Sequence, residues 1–296
     1  SIAQKQFTLL DASATGVTFQ NMVKDTKEQN ILIYSNFYGG AGVGVGDFNN
    51  DGLQDIYFAG NLVGDQLYHN LGDLKFEEIT QSAGIQDNGG WSSGVIIGDI
   101  NNDGWQDIYV TRELYDGNPE IRRNKLYINT TKANSDNRIT FKESAAEYGL
   151  DNSERTRHAT FLDYNKDGLL DVLLLNHPPN PGNYSEMYNV DRKQERFAPR
   201  LYRNNGAKSF TDVTKEAGVF NLGNANSVSI LDANNDGWPD MYIAHDFGPP
   251  DTFFLNNGDG TFTNTINTSL KHISYFSMGV DAADINNDGL LDLMVL

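Results

Sequence analysis

Cysteine, clustered positive charge and long apolar runs are all missing from this sequence of 296 residues. Without cysteine, the chain has neither a disulfide framework nor a thiolate metal site. Its 22 Lys and Arg stand against 40 Asp and Glu, a formal net charge of −18. This balance excludes binding to nucleic acid and docking on anionic lipid, since both need clustered Lys and Arg. No run of 18 apolar residues exists, so the sequence predicts no membrane span.

The acidic residues are concentrated in a nine-residue pattern, D-x-N-x-D-G-x-x-D, that occurs five times. The copies lie at 47–55, 99–107, 163–171, 232–240 and 284–292, with spacings of 52, 64, 69 and 52 residues. Positions 1, 5 and 9 are Asp in every copy, so these loops hold 15 of the 40 acidic residues. A recurrence at this period indicates a repeat protein.

Each acidic loop lies within a larger unit that predicts four short strands. Small and apolar residues precede the loop, as at 42–46, and a β-branched or aromatic run follows it, as at 56–58. A third run ends in Leu-Tyr-x-Asn, as at 67–70, and a fourth begins with Phe, as at 76–85. Four-stranded units of this length are typical of β-propeller blades, which bury their faces by stacking around an axis.

The predicted fold is therefore all-β, a β-propeller of four-stranded antiparallel blades. The repeats fall at about 40–91, 92–157, 158–226 and 227–276, with a partial repeat at 277–296. Residues 7–17 match the fourth run, and we expect them to be the outer strand of an adjoining blade. This count of about four and a half blades predicts a fragment of a longer protein, or an open or truncated ring.

The loops offer only oxygen ligands, which favour Ca²⁺ in cages of six to eight oxygens. Gly at position 6 permits a sharp turn, and position 7 would contribute its backbone carbonyl. Three carboxylates in one loop would repel one another without a cation, so we expect up to five Ca²⁺ ions. The predicted ligands are Asp47, Asn49, Asp51, Leu53 and Asp55; Asp99, Asn101, Asp103, Trp105 and Asp107; Asp163, Asn165, Asp167, Leu169 and Asp171; Asp232, Asn234, Asp236, Trp238 and Asp240; and Asp284, Asn286, Asp288, Leu290 and Asp292.

An EF-hand is excluded as an alternative, although the first half of the pattern is similar. An EF-hand loop needs a bidentate Glu at position 12 and a helix on both sides. Position 12 is apolar in every copy and belongs to the predicted second strand: Phe58, Val110, Leu174, Ile243 and Val295. A strand–loop–strand metal site remains the interpretation.

The loops, together with Leu-Tyr-x-Asn and Phe-x-x-x-Thr/Ser-x-x-Ala-Gly, resemble the FG-GAP/VCBS-type calcium-binding repeat found in integrin α-subunit propellers. The companion motifs are more specifically similar to bacterial VCBS-repeat proteins with an ASPIC/UnbV domain, to which cartilage acidic protein is an animal relative. The resemblance implies a seven-bladed, calcium-dependent propeller that is extracellular, on the cell surface or periplasmic. It also implies a role in adhesion or ligand binding. Proteins of this kind are often surface lipoproteins, which implies a lipid anchor outside these residues. This sequence departs from the family by stopping within the fifth blade.

The face opposite the acidic loops is predicted to carry any ligand site, because loops on a rigid scaffold often hold function. The candidates, in the longer connections there, are Arg112, His177, Tyr184, His245 and Asp246. Two functions stay open. The favoured one is a non-enzymatic scaffold that binds a protein or glycan in adhesion or surface recognition. The alternative is a calcium-dependent, polysaccharide-active lyase or hydrolase, for which Glu113, Glu186, Asp246 and Asp251 are unpaired candidate acids.

Overall fold

The regular secondary structure is almost entirely β-strand in the computed structural model, which describes residues 7–34, 36–86, 89–114, 118–131, 138–178, 195–246 and 249–296. These residues form four four-stranded sheets and one two-stranded sheet, in each of which the strands follow chain order and pair antiparallel. We call the sheets blades 1 to 5. This arrangement confirms the prediction of an all-β fold built from four-stranded propeller blades.

The strand bounds are similar from blade to blade. Blade 1 contains β1 (Val43–Gly46), β2 (Asp55–Phe58), β3 (Gln66–Asn70) and β4 (Phe76–Glu78). Blade 2 contains β5 (Trp91–Gly98), β6 (Asp107–Glu113), β7 (Lys125–Asn129) and β8 (Phe141–Glu143). Blade 3 contains β9 (Thr156–Leu162), β10 (Asp171–Asn176), β11 (Arg200–Asn204) and β12 (Phe210–Asp212). Blade 4 contains β13 (Ala225–Leu231), β14 (Asp240–His245), β15 (Thr252–Asn256) and β16 (Phe262–Asn264), and blade 5 contains β17 (Val280–Ala283) and β18 (Asp292–Val295).

The helices among the described residues are single turns: α1 (Ala12–Thr15), α2 (Ala145–Tyr148) and α3 (Ile266–Ser269), with a 3-10 turn at Glu195–Phe197. α2 and α3 follow the fourth strands of blades 2 and 4. None of the helices in the described ranges has the length and apolar character needed to cross a membrane.

Successive blades meet along their first strands, as a propeller requires. β1 contacts β5, β5 contacts β9, β9 contacts β13, and β13 contacts β17. Space is tight here: a Cβ on Gly44 would lie 2.7 Å from both Ile97 Cδ1 and Val95 Cγ1. The small residues of the first strand therefore allow the neighbouring blade to approach its backbone.

The hydrophobic core lies between blades rather than within any one of them. Tyr57 and Leu67 of blade 1 share a buried cluster with Ile108 and Tyr127 of blade 2. Equivalent clusters join blades 2 and 3, blades 3 and 4, and blades 4 and 5. Burying such a side chain contributes about 1.5–3 kcal/mol, so each blade depends on its neighbour for stability.

The N-terminal segment lies against blade 1 in the way that each fourth-strand tail lies against the next blade. A Cβ on Gly16 would meet the Phe76 carbonyl oxygen at 2.3 Å, just as one on Gly84 would meet that of Phe141 at 2.8 Å. Residues 7–10 are irregular and α1 follows, so the strand expected at 7–17 is not formed. The physical reason is that no third strand among the described residues lies beside it to pair with its backbone.

Residues further along this segment cover the ends of the blades. Tyr34 and Phe37 are buried against Trp91. The ring centroid of Trp91 lies 5.7 Å from that of Tyr34 and 5.4 Å from that of Phe37, and Leu114 belongs to the same cluster. Trp91 begins β5 and Leu114 follows β6, so both lie at the end of blade 2 remote from its acidic loop at 99–107. The segment therefore packs on the face opposite the acidic loops.

Candidate functional site

Each acidic loop is the hairpin connection between the first two strands of its blade. The residue before position 1 pairs with the Asp at position 9 in all five blades, as Gly46 does with Asp55 and Leu162 with Asp171. The loop is thus held at its base by the sheet. Strand, loop and strand follow one another directly, as the sequence predicts.

The carboxylate at position 1 organises the turn. In the first loop, Asp47 Oδ1 accepts the backbone N–H of Asp51 at 3.0 Å and Oδ2 accepts that of Gly52 at 2.8 Å. Asn49 Nδ2 donates to Asp51 Oδ2 at 2.8 Å. The same bonds recur in the other four loops. Gly52 has φ of 88°, a left-handed conformation that disfavours any residue with a Cβ.

In blades 1 to 4, the carboxylate at position 9 is buried and connects the loop to the third strand. Asp171 Oδ2 accepts the N–H of Tyr164 at 3.1 Å, and its Oδ1 accepts the N–H of Asn204 at 2.7 Å. Asp55, Asp107 and Asp240 make the equivalent pairs of bonds. Each of these four Asp side chains therefore has a structural role within its own blade, in addition to the predicted metal ligation.

In blades 2 to 4, the Asn that ends the third strand connects its blade to the acidic loop of the preceding blade. Asn204 of blade 3 donates from Nδ2 to the carbonyl of Ile100, position 2 of the blade 2 loop, at 3.0 Å. Asn129 donates in the same way to Phe48, and Asn256 to Tyr164, each at 2.8 Å. All three are buried, and we call them the inter-blade asparagines.

Neighbouring loops also touch at their tips. Asn50 Nδ2 donates to the Gly104 carbonyl at 3.3 Å, and Lys166 Nζ lies 4.5 Å from the centre of the Trp238 ring. These contacts join loop 1 to loop 2 and loop 3 to loop 4. All five loops lie at the same end of their blades, and we call them together the acidic rim.

Burial and charge crowding shape the electrostatics of this rim. Burial, with a smaller contribution from the carboxylates of Asp103 and Asp99, outweighs two backbone hydrogen bonds and raises the pKa of Asp107 to about 7. The pKa of Asp171 rises to about 7 for the same reasons. A local cation would relieve this repulsion.

The donor set of each loop suits a hard cation, with carboxylate, amide and carbonyl oxygens and no nitrogen or sulfur ligand among the predicted positions. In the part of the chain that the structure describes, no three His, Cys, Asp or Glu side chains are grouped to hold a metal ion. The loop oxygens instead accept the loop's own N–H groups, and each such oxygen retains a second lone pair. Metal binding at the predicted positions stays a prediction.

The sequence-predicted ligand residues on the opposite face are interior side chains. Arg112, His177, His245 and Asp246 are all more than nine-tenths buried, and Tyr184 lies outside the described residues. His245 is fully buried, and this burial lowers its pKa to about 4, so its imidazole is neutral at pH 7. A role for these residues in ligand binding stays a prediction.

Glu113 is the centre of a buried cluster that sequence reasoning did not find. It accepts hydrogen bonds from Tyr34 Oη, from Arg157 Nη1 at 2.8 Å and from His177 Nε2 at 3.0 Å. Burial, the largest influence, raises its pKa, but Arg157 and His177 outweigh it and hold the pKa at about 2. The cluster joins blade 2, blade 3 and the N-terminal segment.

Asp251, another candidate acid, is likewise engaged. Its carboxylate accepts hydrogen bonds from Tyr242 Oη at 2.6 Å, from the His245 N–H at 2.7 Å and from Ser277 Oγ at 2.8 Å. Asp65 of blade 1 has the same three kinds of donor, including Ser92 of blade 2. These carboxylates therefore connect successive blades on the face opposite the loops.

Comparison with known proteins supports the repeat. The family model of the FG-GAP-like repeat matches residues 47–110 and 232–295, and each match spans two acidic loops. The loop at 163–171 falls outside both matches, yet it makes the same hydrogen bonds as the others.

Two known proteins are similar to the chain over most of its length. Human cartilage acidic protein 1 is 22% identical over 231 residues, which are 78% of this chain and 32% of that protein. A solved structure of an Agrocybe aegerita lectin that recognises non-reducing terminal N-acetylglucosamine matches with a TM-score of 0.47 and 17% identity, over 85% of this chain and 59% of the lectin. The chain thus spans about a third of the curated relative and under two thirds of the lectin. The matched segments establish that the chain contains FG-GAP-like repeats.

Proposed function

We propose that the chain is a calcium-stabilised, extracellular binding scaffold that recognises a protein or glycan without catalysing a reaction. The observation that carries this proposal is the acidic rim: five loops with one donor set and one hydrogen-bond pattern, side by side on one face. The FG-GAP-like repeats and the similarity to human cartilage acidic protein 1 support it. Millimolar extracellular calcium suits sites of modest affinity.

Within each loop, the oxygens at positions 1, 3, 5 and 9 and the carbonyl at position 7 would hold the ion. Bound Ca²⁺ would supply positive charge that neutralises the crowded carboxylates. The chain's own residues supply the rest: position 1 sets the turn through Asp51 and Gly52, and position 9 ties the turn to the third strand. The scaffold would therefore be most rigid when its loops are loaded.

Removal of calcium is expected to lower the melting temperature by at least about 5–10 °C. An ion at 100 times its dissociation constant stabilises the folded state by about 2.7 kcal/mol per site, and each kcal/mol moves the melting temperature by about 2–4 °C in a domain of this size. Calorimetric melting with Ca²⁺, with Mg²⁺ and with a chelator measures the effect. Identical curves in Ca²⁺ and chelator contradict the proposal.

A matched pair of variants locates the effect. Asp236→Asn removes a charge from the fourth loop while its amide oxygen can still accept the N–H of Trp238. Asp259→Asn is the control, because Asp259 lies in an exposed hairpin turn outside the acidic loops, where its carboxylate accepts the N–H and the hydroxyl of Thr261. Calcium titration by calorimetry should show one site fewer in Asp236→Asn and an unchanged number in Asp259→Asn.

The enzyme alternative has less support. General acid–base chemistry needs a carboxyl group free to exchange a proton with substrate. Glu113 and Asp251 are each held by three donors, and Glu186 lies outside the described residues. Incubation with acidic and neutral polysaccharides, followed by assay for unsaturated or reducing ends, tests this directly. Sustained product release would replace the scaffold proposal, whereas binding on glycan or protein arrays without turnover supports it.

A further inference from the structure

A cavity of about 200 Å³ opens where the first strands of the blades converge. It lies at the beginning of these strands, the end remote from the acidic loops. One residue from each of the five blades lines it, always the sixth before the first loop Asp: Ala41, Ser93, Arg157, Asn226 and Met278. The cavity therefore lies on the propeller axis, on the face opposite the acidic rim.

The five lining residues differ although their backbone positions are equivalent. One is cationic, two are polar and two are apolar, whereas the loop positions 1, 3, 5, 6 and 9 are the same in all five repeats. Blade order places Arg157 in the middle, between Ser93 and Asn226, with Ala41 and Met278 at the two ends. The cavity wall thus has one charged, hydrogen-bonding side and one apolar side, as sites for small amphiphilic ligands do.

Arg157 is held in place from one side only. Its Nη1 donates to Glu113 Oε1 at 2.8 Å and to Tyr34 Oη at 3.1 Å, and Glu113 is itself fixed by His177. The other guanidinium nitrogens of Arg157 have no hydrogen-bond partner among the described residues. A side chain fixed by a buried carboxylate, with donors left at a cavity, is arranged to bind an acceptor group there.

The neighbouring His158 also lines the cavity. Burial, with a smaller contribution from Arg157, lowers the pKa of His158, so the imidazole is neutral at pH 7. The guanidinium nitrogens that Glu113 does not engage can donate to a carboxylate, whose planar pair of oxygens matches the guanidinium fork better than a spherical anion does. The volume is below the range typical of drug-sized ligands, which limits the occupant to about the size of a monosaccharide.

We propose that this axial cavity is a binding site for a small carboxylate-bearing molecule, such as a single uronic acid residue, with Arg157 as the group that recognises the carboxylate. The ring face of the ligand would contact Met278 and Ala41, and Ser227 and Asn226 would lie beside its hydroxyl groups. The site is at the opposite end of the first strands from the acidic loops, so it does not depend on the calcium proposal.

Calorimetric titration of the whole chain with D-glucuronate and with D-glucuronamide, its neutral isostere, tests the proposal. The titration is run in calcium-free buffer below the melting temperature measured there, so that no carboxylate contact passes through a loop cation. Glucuronate should bind with a dissociation constant of about 1 mM or tighter, and glucuronamide at least about tenfold more weakly. Undetectable glucuronate binding, or equal binding of the two ligands, overturns the proposal.

Two substitutions place the binding in the cavity. Ala41→Leu fills the cavity from its wall without touching the Glu113 cluster, and should weaken glucuronate binding at least about tenfold. Val43→Leu is the control, because Val43 lies two residues further along the chain, at the start of β1, and is half exposed; it should bind as the parent chain does. If Ala41→Leu lowers the melting temperature, Ser227→Met provides a second filling variant. Unchanged glucuronate binding in a folded filling variant overturns the proposal.

Discussion

Glu113→Gln is expected to lose about 3–5 kcal/mol of the free energy of unfolding, since removing one partner of a buried ion pair leaves the other charge uncompensated. Glu113 is fully buried, and Arg157 is only 18% exposed. The glutamine is nearly isosteric and keeps hydrogen-bonding capacity toward Tyr34 and His177, so the loss reports chiefly the missing charge. Urea denaturation monitored by fluorescence measures it.

The matched control is Glu120→Gln in the same blade. Glu120 forms an ion pair with Arg123 at 2.8 Å but is 70% exposed, and such surface pairs contribute at most about 1 kcal/mol. A loss at Glu113 no larger than the loss at Glu120 would show that the buried cluster has no special role.

The pH dependence gives a second, independent readout. The pKa of Glu113 falls from an ordinary 4.5 to about 2 in the folded chain. A depressed carboxyl pKa contributes stability that is fully present above the unfolded value and is lost as the pH falls toward the folded value. The difference in stability between the parent chain and Glu113→Gln should therefore be constant above about pH 5 and shrink steadily toward pH 2. A difference that stays constant down to pH 2 would contradict the assigned ion pair.

The blades and their acidic loops could be predicted from the sequence because the information recurs. Asp47, Asn49, Asp51, Gly52 and Asp55 have counterparts in four further copies, so a chance match is excluded by repetition alone. The tight packing at Gly44 could be predicted for the same reason, because small residues recur in the first strands, just before the loops. Repetition also extends the interpretation to the loop at 163–171, which the family model does not match.

The Glu113 cluster could not be predicted, because each of its members occurs once. Tyr34, Glu113, Arg157 and His177 come from the N-terminal segment and from three separate strand ends, with no shared spacing. The sequence analysis predicted that Arg112, His177 and His245 lie on an accessible surface, because polar residues in long connections are usually exposed. All three are buried instead: His177 bonds to Glu113 of the neighbouring blade, and His245 Nε2 lies 3.2 Å from Asn221 Nδ2. The axial cavity could be predicted in part. Its five lining positions are equivalent in the repeats and can be aligned from the sequence, but only the structure shows that they converge on an axis.

Asn204→Ala is expected to cost about 3 kcal/mol of the free energy of unfolding, against about 1 kcal/mol for Asn70→Ala, because an unsatisfied buried partner costs about 1–3 kcal/mol. The two asparagines are repeat-equivalent. Each donates to the carbonyl at position 8 of its own loop, Leu170 or Gln54, and each accepts an N–H in the following turn. Asn204 alone of this pair also donates to the preceding blade, at Ile100. The difference between the two variants thus reports the inter-blade bond together with the deeper burial of Asn204.

The hydrogen bonds of the Ile100 backbone show why the bond from Asn204 matters for the acidic rim. The N–H of Ile100 is bound by Asp107 of its own loop, and its carbonyl is bound by Asn204 of the next blade. Position 2 of the loop is therefore held between two blades, and the same arrangement holds Phe48 and Tyr164. Any ion that orders a loop would then also strengthen the joint with the following blade, and any loosening of that joint would disorder the loop. Asn204→Ala should accordingly weaken calcium binding at the loop of blade 2, one blade away from the substitution. Asn70→Ala should leave calcium binding at that loop unchanged. Equal stability losses and equal calcium titrations for the two variants would contradict the coupling.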